Sequence, residues 1–187
     1  MKRYMVYLEN QWYTPKDAVT LLKKARSLVS GSQIIVRDSR VAKHHIEFDI
    51  SIPDSKHVND IISSLSSIAP ISECQHIVET KMKKEEAIRR ARILFNNEKY
   101  WSAHEILESV WKNSLKDEKD LLNGLILIAA AFVHEEKDES DICISILKRA
   151  MQKLSKASGL YFDLNVNRIK DTISKIINIG EVERFTI

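Results

Sequence analysis

The spacing of apolar residues changes near residue 80, from a period of two to a period of about three and a half, and this change constrains the chain more than any other feature. Residues at i and i+2 share one face of a strand, whereas i, i+3, i+4 and i+7 share one face of a helix. A chain that switches period once is expected to hold an α/β-type segment followed by an all-helical one. The punctuation agrees. Pro15, Gly31, Pro53 and Pro70 precede the switch, and Gly124, Gly159 and Gly180 follow it.

Before residue 80, Arg3 to Leu8 reads as a strand. Thr14-Pro15 opens a helix running to about Val29, with Val19, Leu22, Ala25 and Val29 as its inner face. Gly31 closes it, and Ile34 to Val36 resumes as strand. Ile46, Phe48, Ile50 and Ile52 alternate with Glu47, Asp49 and Ser51, which predicts a strand with one face buried and the other wet. A helix from Asp54 to about Ile68 and a strand from Ile71 to Glu79 complete the order βαββαβ, the ferredoxin-like split unit. RNA-binding sheets of that topology stack bases on aromatic and basic residues of the open face. Here Glu47 and Asp49 stand there, so nucleic acid is not the expected partner. His44, His45, His57 and His76 have no further Cys or His at metal-ligand spacing.

From Lys83 the pattern is helical. Ala87, Ile88, Ala91, Leu94 and Phe95 mark one helix, ended by Asn96-Asn97. Others are read over 100–112, 117–136, 141–158 and from Asp163 or Asn165 to Gly180. Short connections imply antiparallel neighbours. The fold expected is α+β, with a ferredoxin-like domain over 1–80, a five-helix antiparallel bundle over 81–180 and a tail at 181–187. The tail is expected either to move freely or to dock as an extended segment.

Composition narrows the class. Four Gly and three Pro in 187 residues leave little chain for loops. Two cysteines, Cys74 and Cys143, make no disulfide framework, which points to a reducing compartment. Met1 to Tyr7 lacks a targeting pattern, and the longest apolar run, Leu125 to Val133, falls short of a membrane span. A cytoplasmic protein without membrane contact is expected. The formal charge is +3, with both signs interspersed, so bulk charge selects no partner.

The chemistry concentrates in the second helix of the helical part. Trp101, His104, Glu108 and Trp111 are spaced three, four and three, along one seam flanked by Ala103, Ile106, Leu107 and Val110. A seam so bordered is expected to face the core, where its polar groups need partners. Gly124 would allow close approach of a ligand or backbone, and His134 lies ten residues on, near the same face. Two readings stay open. In one, His104, Glu108 and His134 ligate a divalent metal, Glu105 or Glu108 acts as catalytic base, and Trp101, Trp111 and Gly124 line a ligand pocket. In the other, Glu108 accepts hydrogen bonds from His104 and an indole, and the pair only fixes helix register. H-E-x-x-H is absent, because the residue four after His104 is Glu108.

The run from Asn97 to Trp111, with Ala103-His104-Glu105-x-Leu107-Glu108-x-x-Trp111 at its centre, resembles the domain of unknown function 309 family. So do Asn123-Gly124-Leu125-Ile126, Ala129 to His134 and Tyr161 to Val166. The resemblance covers about 83–178. It implies an all-helical fold and a metal-dependent hydrolase label that is itself drawn from His and Glu residues, with His104, Glu105, Glu108, Trp111, Gly124 and His134 at the matching positions. Asn123 and Leu127 depart from family glutamines, and Lys137-Asp138-Glu139 from a Gly-Asn turn. The resulting expectation is a metal-dependent hydrolase or small-ligand site. The alternative is a non-enzymatic protein-interaction module, with the sheet edge or Val182, Phe185 and Ile187 of the tail engaging a partner.

Overall fold

The structure is a computed structural model describing residues 1–55, 58–78 and 82–187, the side chains of 60, 116 and 117 apart. His57, Glu79 and the expected boundary at 80/81 lie outside the described residues. Contacts divide the chain into two units, Met1–Thr80 with Glu136–Asp138, and Lys81–Glu135 with Glu139–Ile187.

The first unit runs β1 (Lys2–Glu9), a 3-10 turn at Pro15–Asp17, α1 (Ala18–Leu28), β2 (Ile35–Val41), β3 (His45–Ile52), α2 (Val58–Leu65) and β4 (Ile71–His76). At the entry to α1 the Asp17 carboxylate accepts the Thr14 backbone N–H at 2.7 Å, a cap that pairs an otherwise orphaned donor. The four strands form one antiparallel sheet in the order β2-β3-β1-β4, with Val6 opposite Phe48 and Leu8 opposite Ile46. These residues, with Val36, Ile50 and Ile52, pack against Ala18, Leu21 and Ala25 of α1 and Ile61 and Leu65 of α2. Val19, expected on that inner face, is exposed, because Ala18 takes the core position beside it.

The second face of the sheet departs from expectation. Glu47, Asp49 and Ser51 are buried, at 2%, 3% and 2% exposure, together with Met5 and Tyr7. The alternation that reads as wet is a layer of paired charges. Arg40, the cross-strand partner of Glu47, bonds its carboxylate and meets Asp38 at 3.0 Å, while Arg3 donates to Asp49 at 2.9 Å. Burial alone would lower the Arg40 pKa, but Glu47 and Asp38 outweigh it and hold the guanidinium more firmly protonated.

The second unit contains α3 (Lys84–Asn96), α4 (Tyr100–Lys112), α5 (Lys116–Glu135), α6 (Ser140–Lys153), a hairpin of β5 (Leu160–Tyr161) and β6 (Leu164–Asn165), and α7 (Val166–Ile179). Each of α3 to α6 packs on its successor. The reversal between α3 and α4 needs only Asn97, Glu98 and Lys99, because Glu98 takes φ 59° and the Lys99 N–H returns to the Leu94 carbonyl at 2.9 Å. Asn165 caps α7 by accepting the Arg168 N–H at 3.1 Å, and Gly180 closes it at φ 80°.

The reading of α6 through residue 158 overshoots. The helix stops at Lys153, and the β5–β6 hairpin lies between it and α7, with Phe162 at φ 48° in its turn. Cys143 is fully buried on α6, and burial pushes its thiol up to about 12; Cys74 is half-buried, and both are free thiols. No described helix is long and apolar enough to cross a membrane.

Candidate functional site

Helix α4 sets its core face with Tyr100, Ala103, Leu107 and Val110, spaced three, four and three. The polar seam at 101, 104, 108 and 111 lies one residue further on, which is about 100° around the helix. It therefore runs along the flank of α4 rather than into the core. His104 keeps 26% side-chain exposure, Glu105 42% and Glu108 38%. The flank is half-open to water, so these groups do not carry the full cost of an interior charge.

His104, Glu105 and Glu108 converge. One ligand atom from each lies within 4.8 Å of the others, and His104 Nδ1 stands 3.5 Å from Glu105 Oε1. Glu108 also meets Lys112 at 3.7 Å, one turn on. This is the group of at least three His, Cys, Asp or Glu residues with metal-ligand proximity among the described residues. The set offers one imidazole and two carboxylates from a single turn and a half of helix, all N and O donors.

His134 is placed elsewhere. Its Nδ1 faces Glu139 Oε2 at 2.5 Å across the α5–α6 connection, where Ser140 Oγ also donates to Glu135 at 2.8 Å. Asp138 in that connection adopts φ 62°, the left-handed conformation that a Gly-Asn turn would take without strain. The ten-residue spacing from Gly124 did set His134 at the end of α5, but its carboxylate partner is Glu139, the N-cap of α6.

Gly124 opens toward α6. A Cβ there would meet Leu154 Cγ at 2.5 Å and the Ala150 carbonyl oxygen at 3.4 Å, so its lack of a side chain serves helix packing. Trp111 lies on the seam one turn beyond Glu108. Its indole N–H is buried without an acceptor, and Lys119 Nζ stands 5.0 Å from its ring centre. Trp101 is partly buried on the same flank. A cavity of about 380 Å³ is lined by Lys83, Glu85, Glu86, Arg89, Arg90 and Ile93 of α3 and its approach, none of them in the seam.

Another polar site was not foreseen. Tyr161 of β5 donates its hydroxyl to Glu118 of α5 at 2.6 Å, and Lys84 meets the same carboxylate at 2.6 Å. Burial pushes the Glu118 carboxyl up, but hydrogen bonds from Lys84 and Tyr161 prevail and hold it below its ordinary value. Burial and the Glu118 partner both raise the Tyr161 hydroxyl, which stays protonated. No local periodicity points to this triad, since its members are 34 and 43 residues apart in sequence.

The stretch that carries α4 is also where a likeness to a known family falls. Residues 88–146 match the family model of DUF309, a domain of unknown function. The matched stretch runs from Ile88 in α3 to Ile146 in α6 and includes His104, Glu105, Glu108, Gly124 and His134. Among curated proteins nothing matches the chain.

Proposed function

We propose that the matched stretch binds a divalent cation on the flank of α4, with His104, Glu105 and Glu108 as ligands. The observation that carries this reading is their convergence within 4.8 Å on a half-exposed face. Three protein ligands from one side leave positions for water or a substrate oxygen, as hydrolytic sites require. A bound cation would supply polarisation of that water. The buried indole N–H of Trp111, one turn along, adds an unused donor to the same seam. His134 falls outside the proposed set, because Glu139 occupies its Nδ1.

The borderline donor set suits Zn, Mn, Fe or Ni. Metal analysis of protein purified without an affinity tag tests the reading. About one equivalent of one of these ions is expected, with loss in both His104→Ala and Glu108→Gln. Substoichiometric metal, unchanged in the variants, removes both the cation site and the hydrolase reading.

The second reading is a non-enzymatic interaction module. It draws on the pairing of His104 with Glu105 and of Glu108 with Lys112, which answers each charge within α4 itself. For the scaffold, the strand order β2-β3-β1-β4 favours a ferredoxin-like first unit, and sequential packing of α3 to α6 favours an antiparallel bundle in the second. A protein of the cytoplasm fits the free thiols.

A further inference from the structure

Asn123 is the single polar side chain between Leu121 and Val133 of α5. Its neighbours Leu122, Leu125 and Ile128 enter the core, and Asn is a weaker helix former than the Leu and Ala around it. The side chain is half-buried, and among the described residues its amide makes no hydrogen bond. A partly desolvated amide left without a partner costs stability. Neither core packing nor helix formation accounts for an amide at this position.

Two contacts fix the register between α4 and α5. Tyr100, which opens α4, meets Phe132 near the end of α5 with ring centres 5.0 Å apart. Trp111, near the end of α4, meets Lys119 near the start of α5, again at 5.0 Å. The two helices are therefore antiparallel, and each step forward along α4 is a step back along α5. Counting inward from the second contact brings Glu108 level with Leu122, and counting from the first brings it level with Gly124. Leu122 is fully buried and Gly124 has no side chain, so Asn123, between them, is the side chain offered at that level. It also stands one turn beyond Lys119, on the side of α5 that meets the seam of α4.

We infer that the side-chain carbonyl oxygen of Asn123 is a further ligand of the cation proposed for His104, Glu105 and Glu108, so that the site joins α4 to α5. The inference rests on that reading of α4 and deepens it. With Asn123 the donors become an imidazole nitrogen, two carboxylates and a neutral amide oxygen. Carboxylate and carbonyl oxygens suit hard divalent ions, whereas softer sets of imidazole and thiolate suit zinc, so the added oxygen places Mn2+ ahead of Zn2+. An octahedral ion held this way still keeps positions for water.

The test is titration of the untagged full chain with Mn2+, followed by the electron paramagnetic resonance signal of the free ion. Asn123→Leu is expected to weaken binding at least tenfold. Asn123→Asp keeps an oxygen in place and adds a charge, and is expected to bind at least threefold more tightly than the unaltered protein. Asn113→Asp, at the exposed end of α4, adds the same charge without a ligand and is expected to change affinity less than twofold. Equal binding by Asn123→Leu and the unaltered protein overturns the inference and leaves the α4 site standing. Absence of Mn2+ binding by the unaltered protein removes the α4 site and the inference with it. Should Asn123→Leu fail to fold, Asn123→Asp decides: weaker binding, or a gain no larger than that of Asn113→Asp, overturns the inference.

Discussion

Gly124 of α5 and Leu154 at the end of α6 share one volume: a Cβ on the glycine would lie 2.5 Å from Leu154 Cγ and 2.6 Å from its Cδ2. Leu154 is fully buried, and its branch point cannot swing aside as a chain end could. Gly124→Ala would gain roughly 1 kcal/mol of helix propensity and lose about 1 to 3 kcal/mol to overpacking. Net destabilisation is expected by urea unfolding. In Gly124→Ala with Leu154→Ala the two costs should fall short of their sum, because the first substitution partly fills the cavity left by the second. Strict additivity would mean that the glycine is not there for Leu154.

The charged residues of the two units should differ in how much their removal costs. Glu47 is buried against Arg40, so Glu47→Ala takes from a buried guanidinium the partner that shares its interior, leaving it the half-buried Asp38, and is expected to cost about 3 to 5 kcal/mol. Replacing both partners together, as Arg40→Met with Glu47→Leu, should recover most of that loss. Chemical denaturation of the three variants checks it. A double variant as unstable as the single one would show that the pair itself, and not the orphaned charge, supplies the stability.

Glu108, by contrast, keeps 38% side-chain exposure and touches Lys112 one turn away. An ion pair of that kind is worth only about 0.3 to 0.5 kcal/mol. Glu108→Ala is therefore expected to shift stability by less than about 1 kcal/mol, which separates a surface ligand from a structural core pair. A loss as large as that expected for Glu47→Ala would assign Glu108 to the framework and remove it from the candidate site.

How far these placements are legible in the sequence depends on the size of the core residues. The βαββ order, β3, the caps at Asn165 and Gly180 and the α4 motif are all local signals, and they place elements correctly. Two inner faces are misplaced by one position, at the start of α1 and along α4. Ala18 rather than Val19, and Ala103 rather than His104, point inward. Close-packed helices admit small side chains at the contact and push bulkier neighbours to the flank, so a search for large apolar residues finds the wrong stripe. The Arg40–Glu47 pair was readable in principle, since opposite charges two residues either side of a hairpin fall opposite one another. The docking of Phe185 beside Phe95 was not, because it joins residues about 90 positions apart with no periodic pattern between them.

The Glu118 carboxylate supplies a pH-dependent test. Lys84 and Tyr161 hold its folded pKa below the ordinary value of 4.5, against the effect of burial. A depressed carboxylate pKa contributes stability that is complete above the unfolded value and disappears as pH falls through the folded one. The gap in stability between the unaltered protein and Glu118→Gln should thus be constant from neutral pH down to about 4.5, and should close in more acidic solution. Tyr161→Phe removes one of the donors, leaving Lys84 and Ser114, and should narrow the gap, at a cost of about 1 to 2 kcal/mol near neutrality. Thermal or urea unfolding across that range gives the result. A gap that widens on acidification would mean that the carboxyl is held protonated in the folded state, with Tyr161 accepting rather than donating.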